Sequence, residues 1–262
     1  MNPAGTIIFN FAANIRNLMK EQVKKILQKL LGFDRYLFIF SIYIIKTLRW
    51  NRNERDFLHF LKLIPKEGIV LDIGANIGIM SVWLGRSLPN SRIFSFEPIP
   101  QNIKTLRRVI HSYQLNNIIV VEKALGTENK MVEMVMPVVN QVKMQGLSHV
   151  LHESIDVFNE GTTFEVEMVR LDDFNPIHID NQRITAIKLD VENFEAFVLQ
   201  GAENLIQKHR PVIYTELWEN ANRYQCFDLV KKHNYFIKCL INGQLVDFEA
   251  EIHKTQNFFF IP

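Results

Sequence analysis

Between Ile69 and Val121 short apolar runs alternate with stretches of helical spacing, an order that few architectures accommodate. Ile69–Asp72 reads as a buried strand, and Ile79–Leu88 as a helix ended by Pro89-Asn90. Ile93–Glu97 follows as a second strand, then a helix with Pro100 in its first turn and apolar residues at Ile103, Leu106, Val109 and Ile110. Ile118–Val121 makes a third strand. This βαβαβ order predicts an α/β fold with a mostly parallel sheet, because each crossover helix must bury its apolar stripe on a sheet face. The rhythm lapses from Gly126 to Arg183, where two strand-like pieces, Val132–Met136 and Phe164–Val169, flank a polar stretch. Residues 127–183 are therefore expected to form an insertion over the site. The core resumes with a strand at Ile184–Asp190, a helix from Phe194 to Ile206, and a fifth strand at Pro211–Glu216. Tyr235–Ile241, Asn242-Gly243, Gln244–Phe248 and Asn257–Ile261 predict a β-rich end with an antiparallel closing strand.

Charge divides the chain at the same place as pattern does. Residues 1–66 carry twelve Lys/Arg against Glu21, Asp34, Glu54 and Asp56, whereas the remainder is acidic although the whole chain is +2. We therefore expect a basic helical extension at 1–66 and a main unit at 67–262. From Ile15 to Leu31 a helical stripe (Ile15, Leu18, Met19, Val23, Ile26, Leu27, Leu30, Leu31) runs beside Arg16, Lys20, Lys24, Lys25 and Lys29. A second apolar piece, Tyr36–Ile45, and a helix at Glu54–Leu63 lead to the break at Pro65. Such a basic amphipathic segment suits peripheral contact with an anionic membrane; the blander alternative is a cap packed on the core or on a second subunit in a homodimer. No run reaches transmembrane length, and the first fifteen residues make a poor signal peptide, so a cytoplasmic protein, peripheral at most to the inner membrane surface, is expected. Cys226 and Cys239 form no CxxC pair, which fits a reducing compartment. The acidic core and the absence of an aromatic-basic reading surface argue against nucleic acid.

In a parallel sheet, ligands gather beyond the carboxyl ends of the strands. The first strand ends Asp72-Ile-Gly74-Ala-Asn76-Ile-Gly78, where glycine lets the backbone turn and approach a ligand. The second ends at Glu97, where a carboxylate can accept hydrogen bonds from both ribose hydroxyls. A dinucleotide fingerprint requires G-x-G-x-x-G with a pyrophosphate on the helix amino terminus; here the spacing is G-x-x-x-G. With Asp72 poised to attract positive charge, the pattern favours the sulfonium cofactor S-adenosylmethionine over NAD. A nucleotide-dependent dehydrogenase and a non-catalytic scaffold remain as alternatives.

These residues resemble those of the FkbM-type methyltransferases. The likeness spans roughly residues 68–219: Val70-Leu-Asp-Ile-Gly-Ala-Asn-Ile-Gly78, Phe96-Glu97-Pro98, Ala124, Leu171-Asp-Asp173, Ile187-Lys-Leu-Asp-Val-Glu192 with Phe194-Glu195, Gly201-Ala202 and Glu216. The resemblance implies a Rossmann-like class I methyltransferase fold with a seven-stranded sheet, and O-methylation of a sugar, polyketide or lipid-linked glycan hydroxyl. It further implies that Asp72, Gly74, Ala75, Asn76 and Gly78 hold the methionine moiety, Glu97 and the adjoining Pro98 the ribose side, and Ala124 the adenine, with Asp190 near the cofactor. The family usually reads Asp-Val-Glu-Gly, whereas here Asn193 follows Glu192; asparagine tolerates a left-handed backbone better than most residues.

Methyl transfer to an alcohol needs an aligned oxygen and an acceptor for its proton. Asp190 and Glu192 end the fourth strand and Glu216 the fifth, so Asp190 or Glu192 is the expected base with Glu216 in support. The structural alternative has these carboxylates capping the next helix or pairing with Lys188 or Arg210. Two further options stay open: Asp190, Glu216 and Asn220 as oxygen ligands of Mg²⁺, and His149 or His152 of the insertion as base or substrate contact.

Overall fold

The computed structural model describes residues 22–155, 157–177 and 182–262. Residues 22–31 are helical (α1), followed by α2 (Phe33–Thr47) and α3 (Arg55–Leu63). The expectations at Ile15, Leu18 and Met19 lie outside the described residues. The main unit follows as β1 (Glu67–Ile73), α4 (Ile79–Ser87), β2 (Asn90–Phe96), α5 (Pro100–Ser112) and β3 (Ile118–Val121). Next come β4 (Ala124–Leu125), β5 (Lys130–Val139), β6 (Val142–Lys143), β7 (His149–Val150) and β8 (Gly161–Val169). The chain ends with β9 (Ile184–Leu189), α6 (Glu195–Gln200), α7 (Glu203–His209), β10 (Val212–Glu216), α8 (Ala221–Lys232), β11 (Phe236–Ile241), β12 (Gln244–Asp247) and β13 (Asn257–Ile261).

The large sheet has the order β12-β11-β13-β10-β9-β1-β2-β3. Its five central and right-hand strands, β10, β9, β1, β2 and β3, are parallel, and β13 runs antiparallel between β10 and β11. The sheet has eight strands where seven were expected. The eighth, β12, is folded onto β11 by the turn at Asn242-Gly243, both of which adopt positive φ. Order reverses between β1 and β9, which opens a crevice at their carboxyl ends.

Side-chain alternation along β1 explains why both sheet faces are covered. Ile69, Leu71 and Ile73 join a core with Val198 and Leu199 of α6, Leu205 of α7 and Phe227 of α8. Val70, one step out of phase, joins Phe57, Phe60 and Leu61 of α3 and Leu84 of α4 on the opposite face. The basic segment is thus part of the packed structure: Ile45 of α2 meets Val82 of α4 and Val109 of α5, and Trp83 Nε1 donates to the Ile45 carbonyl at 3.2 Å.

Within the expected insertion, β5 and β8 pair antiparallel from Lys130–Met168 to Pro137–Gly161 and form a second sheet with β4, β6 and β7. Met134, Met136, Val150 and Met168 bury their side chains in the same core as the large sheet's strands. The second sheet is thereby fastened beside the crevice.

Phe60 is fully buried against Tyr214 of β10, with ring centroids 5.4 Å apart, so it measures how firmly α3 seals its face of the sheet. Phe60→Ala is expected to cost about 3–5 kcal/mol of folding stability, read from urea unfolding of the full chain.

Candidate active site

The site begins with the turn after β1. Gly74, Asn76 and Gly78 all take positive φ, at 74°, 50° and 85°. At Gly74 an added Cβ would lie 1.8 Å from the Asp190 carbonyl oxygen, so any side chain there would push the ends of β1 and β9 apart. Gly78 packs its Cα face against Leu106 of α5 and opens α4. The turn is pinned by Gly74 N and Ala75 N, which both donate to the Phe96 carbonyl at 3.1 and 2.9 Å.

Glu97, just past β2, closes the other side. One carboxylate oxygen accepts from Asn76 N at 2.9 Å; the other accepts from Ile99 N at 2.9 Å and from Asn102 Nδ2 at 3.1 Å. Burial pushes its carboxyl up to about 7, against these three hydrogen bonds, which favour the charged form. A carboxylate has about four acceptor sites, so the three donors leave room for a further hydroxyl.

Glu97 opens on a cleft of about 610 Å³ including its mouth. Gly74, Asn76, Pro98, Ala124, Asp190 and Glu192 share its walls with Glu97, which brings together seven of the residues singled out from sequence. The second sheet and its loops add Met134, Gln145, Ser148 and Val150, which pattern alone had not marked. Asp72, Gly78 and Glu216 line neither this cleft nor the cavity beside it, and Ala75 lines only the latter.

Asp72 is fully buried and works from behind the turn. Its Oδ2 accepts from Ser81 Oγ at 2.5 Å, which in turn accepts from Ser95 Oγ at 3.0 Å. Its Oδ1 lies 3.7 Å from Lys188 Nζ, which also lies 3.4 Å from Asp190 Oδ2 and donates to the Gly74 carbonyl at 2.9 Å. Burial alone would lower the Lys188 pKa, and the Asp190 and Asp72 carboxylates more than reverse that, leaving it above its ordinary value. The pairing of Asp190 with Lys188 is the arrangement weighed as the structural alternative. Arg210, the other cation considered, instead donates to the His233 and Asn234 carbonyls.

The β9–α6 connection supplies the remaining acids. Glu192 and Asn193 both take positive φ, 55° and 71°, so Asn193 does adopt the left-handed backbone for which glycine is the usual choice. Glu195 holds this loop, accepting from Val191 N at 3.0 Å and Asn222 Nδ2 at 2.6 Å. Burial, with Asp190, Glu195 and Glu216 nearby, pushes the Glu192 carboxyl up to about 9. Asp190 is half-buried and lines both cavities.

The remaining candidates are otherwise engaged. His149 is buried, its ring nitrogens 2.9 Å from the Leu147 carbonyl and 2.9 Å from Asn159 Oδ1; it braces the insertion and is not solvated as a loop histidine would be. His152 meets Phe194 edge-on and Phe197 at a tilt, and its Nδ1 lies 2.8 Å from Ser154 Oγ. Asn220 Oδ1 caps α8 through Arg223 N, and its amide donates to Asn193 at 2.7 Å, so its side chain is not spare for a metal. Among the described residues no group of three or more His, Cys, Asp and Glu is placed to hold a metal ion.

Comparison with known proteins shows the family. The methyltransferase FkbM domain model matches residues 72–250. The chain belongs to this family. Methyltransferase 1 of Beauveria bassiana (strain ARSEF 2860) is 26% identical over 153 residues, covering 53% of this chain and 60% of that protein. Methyltransferase sdnD of Sordaria araneosa is 26% identical over 188 residues, covering 63% of this chain and 71% of its own. The crystal structure of methyltransferase FkbM from Methylobacillus flagellatus KT aligns over 95% of this chain and 60% of that one, with 19% identity and a TM-score of 0.48. This chain thus spans about 60% of the length of two of these relatives.

The Glu192 carboxyl has a higher pKa folded than unfolded, so the folded chain retains its proton from the ordinary carboxyl range up to about 9. Its contribution to stability is present below that interval and is lost as pH rises through it. Glu192→Gln is expected to match wild type near pH 4 and to exceed it at pH 9 by about 1 kcal/mol or more, read from urea midpoints at the two pH values.

Proposed function

We propose that this chain transfers a methyl group from S-adenosylmethionine to a hydroxyl oxygen of a sugar, polyketide or lipid-linked glycan. The observation that carries this reading is the buried Glu97 carboxylate, held by three donors in the wall of a cleft that Asp190 also lines. The donor set fits that cofactor: Glu97 would take the ribose hydroxyls, the Gly74–Asn76 backbone the amino-acid end, and Ala124, beside Leu125 and Phe96, the flat apolar base. When bound, S-adenosylmethionine supplies an electrophilic methyl group on a positively charged sulfur. Asp190 faces that charge from the cleft wall and stands ready to orient an acceptor hydroxyl, while Lys188 fixes the carboxylate's position.

The proposed role divides the acids. Glu192, neutral at physiological pH, donates a hydrogen bond to bound ligand; Asp190 accepts one. Glu216 shapes the field at the rim, where burial and the neighbouring Asp190 raise its own carboxyl.

The basic segment supports peripheral contact with an anionic membrane. On α1 the described apolar side chains Val23, Ile26 and Leu30 are more than half exposed, beside Lys24, Lys25 and Lys29, and so are not spent on the core. Among the described residues no helix is long and apolar enough to cross a membrane. Ile26→Glu with Leu30→Glu is expected to lower binding to phosphatidylserine-containing liposomes at least about tenfold, since each change removes an aliphatic side chain whose burial in lipid is worth about 1.4 kcal/mol or more. Unchanged liposome binding would remove the membrane reading.

Calorimetry tests the cofactor assignment. S-Adenosylmethionine is expected to bind and NAD not to, with binding and transfer unaffected by excess EDTA. Glu97→Ala is expected to weaken binding about ten- to a hundredfold through lost charge-assisted hydrogen bonds. Heat with NAD alone would favour the dehydrogenase reading, and heat with neither the scaffold.

A further inference from the structure

A second cavity adjoins the cleft through Gly74, Asn76, Gln145, Gly146 and Asp190. It encloses about 670 Å³ including its mouth. Its outer wall comes from the basic segment, before the matched family region begins: Phe40 and Ile44 of α2, and Glu54. Ile77, Ile79 and Met80, from the turn and the start of α4, extend the apolar side. Asp190 and Lys188 form the polar floor.

Glu54 is held at the cavity by local chemistry. Asn51 Oδ1 accepts from Asn53 N at 3.1 Å, closing a single turn of 3-10 helix at Arg52–Glu54 that delivers the chain into α3. That helix is anchored by Phe57 and Phe60 in the sheet-face core, so the residue preceding it cannot wander far. Among the described residues no donor is bonded to the Glu54 carboxylate. Asp190, by contrast, is engaged by Lys188, whose Nζ lies 3.4 Å from its Oδ2. Burial raises the Glu54 carboxyl above its ordinary value, the nearby Lys188 working against this and Asp190 with it.

We propose that this second cavity receives the methyl acceptor and that Glu54 is its catalytic base, a reading that rests on the cleft being the S-adenosylmethionine site. The walls define the acceptor as an uncharged alcohol with an apolar flank. The flank lies against Phe40, Ile44 and Met80, and the hydroxyl reaches between Glu54 and Asp190. Carboxylates on two sides disfavour a phosphorylated or carboxylated acceptor. As the acceptor oxygen forms its bond to the methyl carbon of a sulfonium donor, the carbon–sulfur electron pair stays with sulfur and the hydroxyl proton passes to Glu54. One carbon–oxygen bond replaces one carbon–sulfur bond, no electron is gained or lost overall, and the protonated Glu54 releases its proton to solvent.

Full-length Ile44→Cys, Ile39→Cys and Glu54→Gln chains test this. Cys226 and Cys239 are both buried, so N-ethylmaleimide reacts with the introduced thiol: inside the cavity at 44, on the exposed face of α2 at 39. The readouts are S-adenosylmethionine affinity by calorimetry and transfer of its labelled methyl group into an extract of the source cells. Alkylated Ile44→Cys and Glu54→Gln are expected to keep donor affinity within about twofold while transfer falls about a hundredfold or more; alkylated Ile39→Cys keeps both. Wild-type transfer falls as pH drops through the Glu54 pKa, and Glu54→Gln loses that acid limb. Wild-type transfer by either cavity variant, or an unchanged pH profile in Glu54→Gln, overturns the proposal. Labelling of only phosphorylated or carboxylated acceptors, or of none by a chain that binds the donor, overturns the acceptor class. A wild-type chain that does not bind S-adenosylmethionine overturns the reading of the cleft instead.

Discussion

The site is organised around one buried ammonium group. Lys188 Nζ sits among Asp72, Asp190 and the Gly74 carbonyl, and a lone charge in that position would cost several kcal/mol of desolvation. The two carboxylates make the lysine tolerable, and the lysine in turn makes Asp72 tolerable in a place with no solvent at all. Because the three groups come from β1, from β9 and from the residue just past β9, their mutual attraction fixes the relative height of the two strand ends. Gly74 can then turn within van der Waals reach of the Asp190 backbone, and both cavities inherit their shared wall from this contact.

That wall gives the protein a division of labour. On one side a cleft is bounded by the turn, Glu97 and the second sheet; on the other a cavity is bounded by the turn, α2 and Glu54. Asp190 belongs to both. Such a layout suits a two-substrate reaction, in which two ligands must meet at one point without competing for the same groups. It also gives the basic segment a share of the second cavity's wall, besides the membrane contact proposed for α1.

Acids are crowded at this rim, and burial sorts them by protonation. Glu97 and Glu195 are each pushed up to about 7 and Glu192 to about 9, while hydrogen bonds to Glu97 and Glu195 temper the effect. Equivalent side chains thereby become acceptors or donors according to how much solvent and how many N–H groups each retains.

Much of the fold was legible in the sequence because strand and helix periodicities are local. The βαβαβ run, the closing antiparallel strand and the left-handed turn at Asn193 each follow from residues close together in the chain. The Gly74 turn and Glu97 were legible for a related reason: carboxyl ends of parallel strands converge whatever the loops do. Local pattern could not show that Asp72 lies behind the turn, that Gly78 serves helix packing, or that His149 is a brace, since those depend on what stands opposite. Nor could it bring Glu54 to the site. That residue is separated from Asp190 by most of the sheet's sequence, and only the packing of α3 against the sheet face at Ala186 and Tyr214 carries it there. Sequence by itself determined the layers and one wall of the pocket, because those rest on periodicity and backbone freedom. Tertiary structure decided which carboxylates share a cavity, because burial and charge pairing exist only once distant segments meet.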